Sequence, residues 1–323
     1  MSQNFDVVCI GNAKIDEFLT IHEAASHLRL DQETNELCLK NGEKIPVDNI
    51  ELCLGGNAAN VSVGLSRLGI TSSLISEIGT DEFSQKIIST LKSENVDTTF
   101  IKQTPKEKNS ISIILSFKNE RTILSQHIRR THDFIFDDIS TKWVYLSSLG
   151  EEWENAYQKV YAFVKGKSIK LAFNPGTIQI DSGYEKIKNV LELTNILFLN
   201  KEEAIKIANG KLQIANDDIE QLLSVLQKLG SKNVVITDGE NGSHAVNEKG
   251  EFFVQEIIKT NIVEKTGAGD AYASGFLAAF ILNYSFPDSM KWGTLNAASN
   301  MQKVGAQNGI LYRAEMETKL NAQ

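Results

Sequence analysis

Short apolar runs alternate with longer amphipathic stretches along nearly the whole of this chain. Residues 5–11, 74–78, 143–149, 171–175, 196–200 and 233–237 read as buried strands. Between them, residues 58–68, 81–94 and 152–165, a stretch starting at Lys201, and residues 217–229, 271–283 and 288–304 read as helices. In the second of these, Phe83, Ile87, Ile88 and Leu91 recur at helical spacing. Repeated strand-then-helix units imply a mostly parallel sheet with helices on both faces, an α/β fold. Ligands of such sheets gather at the carboxyl ends of the strands.

Two segments break the rhythm. Residues 17–54 are mixed and polar, with Asn41-Gly42 as a hairpin-turn signal. Residues 100–126 hold two strand-like runs, 111–117 and 121–125, joined by Lys118-Asn119-Glu120. They read either as antiparallel strands projecting from the main sheet as a lid or as ordinary surface excursions. The expected organisation is a single domain, 1–323, with lid segments at about 17–54 and 100–126. The 323 residues are 41% hydrophobic and 23% charged, as in soluble globular proteins. A net charge of −8 argues against a nucleic-acid partner, which needs a basic stripe. It does not exclude anionic substrates, because backbone N–H groups can hold phosphate on an acidic protein. Cys9, Cys38 and Cys53 fit neither a disulfide framework nor a zinc pattern, which suits a reducing, cytoplasmic setting. The first residues lack the pattern of a secretory leader. No apolar run reaches the ~18 residues of a membrane span, so no membrane partner is expected.

The segment richest in chemistry is 266–276, Thr-Gly-Ala-Gly-Asp-Ala-Tyr-Ala-Ser-Gly-Phe. Gly267, Ala268 and Gly269 precede a strongly apolar helix, and small residues there let backbone approach an anion. The first N–H groups of a helix have no intrahelical partner and carry the positive end of its dipole. Asp270, in that first turn, can take a proton from an attacking hydroxyl, or it can simply stabilise the helix start. Gly275, a mid-helix glycine that costs about 1 kcal/mol against Ala, points to close packing. Other phosphate motifs are excluded. Gly166-Lys167-Ser168 ends like a P-loop, but position 161 is Tyr, and the dinucleotide fingerprint fails at Tyr272.

Two further segments stand at strand ends. In 54–69, Gly55-Gly56 lead into a helix where Asn57 and Asn60 can bond ligand hydroxyls, or where Asn57 is merely an N-cap. Asp16, in the Gly-Asn-Ala-Lys-Ile-Asp run after the first strand, suits a bidentate grip on a vicinal diol, or is a loop acid facing water.

Taken together, the early Gly-Gly-Asn-Ala-Ala-Asn and the late Thr-Gly-Ala-Gly-Asp resemble the ribokinase-like (phosphofructokinase-B type) carbohydrate kinase family. That family includes ribokinases, fructokinases and adenosine kinases. The resemblance spans nearly the whole chain and implies a three-layer sandwich with a small β-strand lid, ATP as phosphoryl donor and Mg²⁺. It makes Asp270 the catalytic base and Gly267, Ala268 and Gly269 the anion hole. Asp16, Gly56 and Asn60 become sugar-binding positions, with Asn12 and Gly55 beside them. Asn200 and Glu203 match the family's Asn-x-x-Glu motif, with Glu203 handling Mg²⁺ through water. Thr237, Gly239 and Gly242 resemble the nucleotide loop, and Asn296 and Ser299 fall on the adenine-side helix. The family usually has Asp-Thr ahead of the late motif, in a region that in many members supports K⁺. Here the pair is Glu264-Lys265, with Lys265 either in the cation's place or in solvent, so K⁺ dependence is left open.

A sugar acceptor of ribose or fructose type is expected, with a nucleoside as the alternative. A nucleoside pocket would enlist larger apolar residues such as Phe18, Phe100 or Phe117. Arg129 or Arg130, in the basic run 126–132, can reach substrate or stay in a solvated loop. A non-catalytic ligand sensor has no use for a base beside an anion hole, and a nicotinamide enzyme would need the missing third glycine. Free edges on lid strands suit a homodimer.

Overall fold

In the computed structural model, which describes residues 3–21, 27–31, 33–34, 36–117, 120–209 and 218–322, the apolar runs assemble into one large sheet. The chain opens with β1 (Gln3–Ile10), β2 (Lys14–Thr20), β3 (Leu28–Asp31), β4 (Glu36–Leu39), β5 (Asn49–Gly55) and α1 (Asn57–Arg67). Next come β6 (Ser72–Ile75), β7 (Glu77–Ile78), α2 (Glu82–Ser93), β8 (Lys102–Gln103), β9 (Ile111–Phe117), β10 (Glu120–Ser125) and β11 (Ile139–Leu146). Then follow α3 (Trp153–Val164), β12 (Lys170–Phe173), α4 (Thr177–Asp181), α5 (Tyr184–Leu193), β13 (Thr194–Asn200), α6 (Lys201–Asn209) and α7 (Ile219–Lys228). The chain ends with β14 (Asn233–Thr237), β15 (Ser243–Val246), β16 (Phe252–Gln255), α8 (Ala268–Ile281), α9 (Phe286–Asn300) and α10 (Arg313–Asn321).

The large sheet has the order β16-β15-β14-β13-β12-β11-β1-β6. It is parallel from β6 to β14 and antiparallel at β15 and β16. Alternate side chains of a strand face opposite ways, so each strand feeds two cores. Val8, Ile10, Leu146 and Phe173 pack under α3, α5 and α7 on one face. Val7, Cys9, Tyr145 and Ala172 pack under α1 and α8 on the other. The result is a three-layer sandwich. Helix α8 is apolar all round and buried along its length, as a helix enclosed by neighbours must be. Gly275 lets α9 approach it, since a Cβ there would lie 2.8 Å from the Trp292 carbonyl oxygen.

A second, four-stranded sheet has the order β10-β9-β2-β5. It starts at Lys14, earlier than the expected 17, and residues 100–110 lie outside it, β8 pairing instead with β7. Asp16 therefore sits within a strand and not in a loop after β1. The Asn41-Gly42 signal also closes no hairpin. Strands β3 and β4 pair across 32–35, where the Asp31 carboxylate accepts from the backbone N–H groups of Glu33 and Thr34. Asn41-Gly42 forms a turn beyond β4. Helix α8 starts at Ala268 and not at 271, because Gly267, at φ 78°, makes the reversal that starts it. Helix α9 spans 286–300, capped by Ser285, rather than 288–304. The expected starting residue 217 of α7 and the Lys118-Asn119 junction lie outside the described residues. Among the described residues no helix is long and apolar enough to cross a membrane.

Candidate active site

The carboxyl ends of the central strands converge on a polar cleft beneath the small sheet. Asn12 follows β1, Asn174 follows β12, Asn200 ends β13 and Thr237 ends β14. The N-terminus of α8 closes the cleft from the far side, with Gly267, Ala268, Gly269 and Asp270 on its wall. A Cβ on Gly267 would lie 2.7 Å from Ala306, so glycine alone allows this approach. A Cβ on Gly269 would meet no atom within 4 Å, which leaves the backbone in front of the helix open to a ligand.

Asp270 is buried, and Asn60 Nδ2 donates to its Oδ2 at 2.8 Å. Gln307 Nε2 donates to Asn60 Oδ1 at 2.8 Å, so the amide that fixes the carboxylate is itself fixed. Burial pushes the Asp270 carboxyl up to about 7, with the charges of Asp16 and Glu203 adding to the rise and the Asn60 and Asn57 amides opposing it. A carboxylate lifted to that range is a competent base near neutral pH. Asn57 is the first residue of α1 and not its cap. Gly56 takes the cap position at φ 95°, and a Cβ on it would press to 2.4 Å from the Asn12 carbonyl oxygen.

Asp16 enters the cleft from the small sheet. Its Oδ1 is buried and has no hydrogen-bond partner among the described residues. Burial raises the Asp16 carboxyl, while Lys14, at 3.9 Å, and Ser112 pull it down. Gly55 makes the room for it, since a Cβ on Gly55 would lie 2.0 Å from Asp16 Oδ2. The cavity beside Asp16 is lined by Asn12, Lys14, Asn57, His127, Asn174 and Glu203, among others.

The Asn-x-x-Glu segment caps α6 reciprocally. Glu203 Oε2 accepts from the Asn200 N–H at 2.9 Å, and Asn200 Oδ1 accepts from the Glu203 N–H at 2.8 Å. Burial raises the Glu203 carboxyl, with Glu202 adding to the rise and the Asn200 N–H and Lys206 opposing it. Both residues line the cavity of Asp270. A neighbouring apolar cavity takes Thr237, Gly239 and Gly242 together with Ile257, Ile258 and Ala297. The loop is closed by the Asp238 N–H donating to the Gly242 carbonyl at 2.8 Å.

Asn296 does not reach this cavity. It is fully buried, with Nδ2 donating to the Ala271 carbonyl and Ser274 Oγ and Oδ1 accepting from the Leu311 N–H. Its amide links α8, α9 and the chain ahead of α10, while Thr294, Ala297 and Ala298 are the α9 residues that line the cavity. Arg130 is buried and donates to the Lys108 carbonyl, and Arg129 pairs with Glu152, so neither enters the cleft. Phe18 and Phe117 are buried and Phe100 packs edge-on against Phe5, so none of the three lines these cavities. Sequence reasoning missed Gln307, Lys14, His127 and Arg121. The Lys14 ammonium donates to Ser112 Oγ at 2.7 Å, and His127 Nε2 lies 3.1 Å from Ser125 Oγ.

The family model for pfkB family carbohydrate kinases matches residues 19–312. The chain belongs to that family. It is 27% identical over 282 residues to a ribokinase of Haemophilus influenzae, covering 85% of this chain and 90% of the relative. It is 26% identical over 284 residues to a nucleoside kinase of Methanocaldococcus jannaschii, covering 84% and 88%. The structure of Arabidopsis thaliana ribokinase complexed with ribose and ATP superposes with a TM-score of 0.78 at 19% identity, over 98% of this chain and 99% of that one. This pfkB protein is thus an ATP-binding phosphotransferase, a sugar or nucleoside kinase.

Proposed function

We propose that this kinase transfers the γ-phosphoryl group of ATP to a primary hydroxyl of a ribose- or fructose-like sugar, with Asp270 as general base. One observation carries the reading. Asp270 is buried, fixed by Asn60 and lifted to about 7, directly beside the open backbone of Gly267–Gly269. The acceptor lies in the cavity of Asn12, Asn57 and Lys14, with Asp16 Oδ1 and Asn60 taking its hydroxyls. Its reacting hydroxyl gives its proton to Asp270 as the oxygen bonds to phosphorus. The N–H groups at the start of α8 meet the charge that develops on the moving phosphoryl group. The adenine lies in the apolar cavity bounded by Thr237, Gly239 and Gly242.

Among the described residues no three acidic, His or Cys side chains converge as metal ligands. A single buried acid, Glu203, lines the phosphate cavity, which suits Mg²⁺ held largely by water and phosphate oxygens. Bound there, Mg²⁺ supplies charge neutralisation to the phosphates. The small sheet acts as a lid over one kinase domain, excluding water when the acceptor is in place. The free edges at β5 and β10 let two copies pair their lids. The three cysteines are free thiols, in keeping with a reducing cytoplasm.

The positions of Phe18, Phe100 and Phe117 favour a sugar over a nucleoside, because none of these rings is placed to stack on a base. Turnover of ATP·Mg²⁺ against a panel of pentoses, hexoses, sugar phosphates and nucleosides tests the reading. A pentose or ketohexose should be the preferred acceptor. Preference for adenosine or another nucleoside would overturn the sugar assignment, and ligand binding without turnover would make the protein a sensor.

A further inference from the structure

We propose that Arg121 is a further catalytic residue, a guanidinium that the small sheet carries to the transferring phosphoryl group, with Glu264 as its positioning residue. The inference rests on the reading of the cleft as a phosphoryl-transfer site and adds a group to it. Arg121 lies on β10, paired in register with Ser116 of β9. Side chains of a strand alternate between faces, so Ser116 shares its face with Ser112, which in turn pairs with Asp16. Arg121 thus projects from the face of the small sheet that presents Asp16 to the acceptor.

The Arg121 side chain, 32% exposed, lines the cavity that holds Gly267–Gly269, Asp270 and Glu203. Among the described residues it makes no hydrogen bond, and its one ion pair is loose, Nη1 lying 3.9 Å from Glu264 Oε1. That exceeds hydrogen-bond length, so the planar fork of donors remains available for two oxygens of one phosphate. Glu264 is buried and already committed elsewhere. Its Oε1 accepts from the Thr266 N–H at 2.9 Å and Thr266 Oγ1 at 2.8 Å, and its Oε2 accepts from Ser116 Oγ at 3.1 Å. One carboxylate therefore ties the small sheet to the residue that precedes the anion hole and holds the guanidinium above it. A triphosphate entering a cavity that already contains Asp270 and Glu203 needs countercharge, and Arg121 and Lys265 are the cations on its wall. When the sheet closes on an acceptor, Arg121 arrives with it, so phosphoryl transfer is favoured only when the acceptor is present.

The test compares wild type with Arg121→Gln, Arg121→Lys, Glu264→Gln and Asp270→Asn, each first matched by thermal unfolding. Arg121→Gln should lower kcat by roughly 10²–10³-fold, as for loss of one preorganised transition-state donor, with the acceptor KM little changed. Added guanidinium should restore part of the Arg121→Gln rate and none of the Glu264→Gln rate. Independently of the acceptor, ADP with aluminium fluoride should bind wild type more tightly than ADP alone. Arg121→Gln should lose that gain while still binding ADP, and Asp270→Asn should keep it. An Arg121→Gln variant with wild-type kcat, or one that only raises the KM for ATP, would overturn the role of Arg121. Full activity in Asp270→Asn with loss in Arg121→Gln would instead overturn the assignment of the base.

Discussion

Replacing Asp270 by Asn should stabilise the protein while removing its activity. The ordinary aspartate value of 3.8 is lifted to about 7 in the folded chain, first by burial and then by the charges of Asp16 and Glu203. Below pH 4 the group is protonated in both the folded and unfolded chain and contributes nothing. Between about 4 and 7 the unfolded chain releases the proton and the folded chain keeps it, so stability falls as pH rises. Above 7 the cost is complete. A lift of about three units at 1.36 kcal/mol per unit makes it roughly 4 kcal/mol at most. Asparagine has the same shape, carries no charge and still accepts from Asn60 Nδ2. The variant should therefore melt several degrees above wild type at pH 8, and the gap should close as the pH approaches 4. Scanning fluorimetry across that range reads it directly. A variant no more stable than wild type at pH 8, or a gap that ignores pH, would refute the reasoning.

Other outcomes follow from the same geometry. The kcat/KM profile should show an acidic limb with an apparent pKa near 7, and Asn60→Ala should move it upward, because the Asn60 hydrogen bond holds the Asp270 value down. Gly55→Ala should raise the acceptor KM sharply, since its Cβ would lie 2.0 Å from Asp16 Oδ2 and must displace that carboxylate. Turnover should be the same in K⁺ and in Na⁺, because both Glu264 oxygens are committed to Thr266 and Ser116; marked activation by K⁺ would show that this loop still binds a cation.

The three layers and the α8 site were legible because their signals are local. The apolar runs mark the parallel strands, and glycines ahead of an all-apolar helix mark an anion-facing N-terminus. The small sheet was harder. Strand β2 turns Lys14, Asp16 and Phe18 to one face and Ile15, Glu17 and Leu19 to the other. Because one face meets a polar cleft, charged and apolar residues mix on both and the period of two is lost. Strand β5 does show it, in Ile50, Leu52 and Leu54, but Asn41-Gly42 drew attention to the wrong turn. Gln307 and Arg121 could not be found from spacing. Gln307 meets Asn60 across 247 residues of chain, and the face of Arg121 is set only by its pairing register with β9. Asn296 was misplaced because motif position gives the helix but not the side of it that is buried.

The central claim is that Asp270 takes the acceptor's proton, and the rate of ADP release by wild type and Asp270→Asn on the best acceptor tests it most directly. The variant should still bind ATP and acceptor, with kcat lowered by roughly 10²–10⁴-fold or more, the range for a lost general base. Near-wild-type turnover in Asp270→Asn would contradict the account.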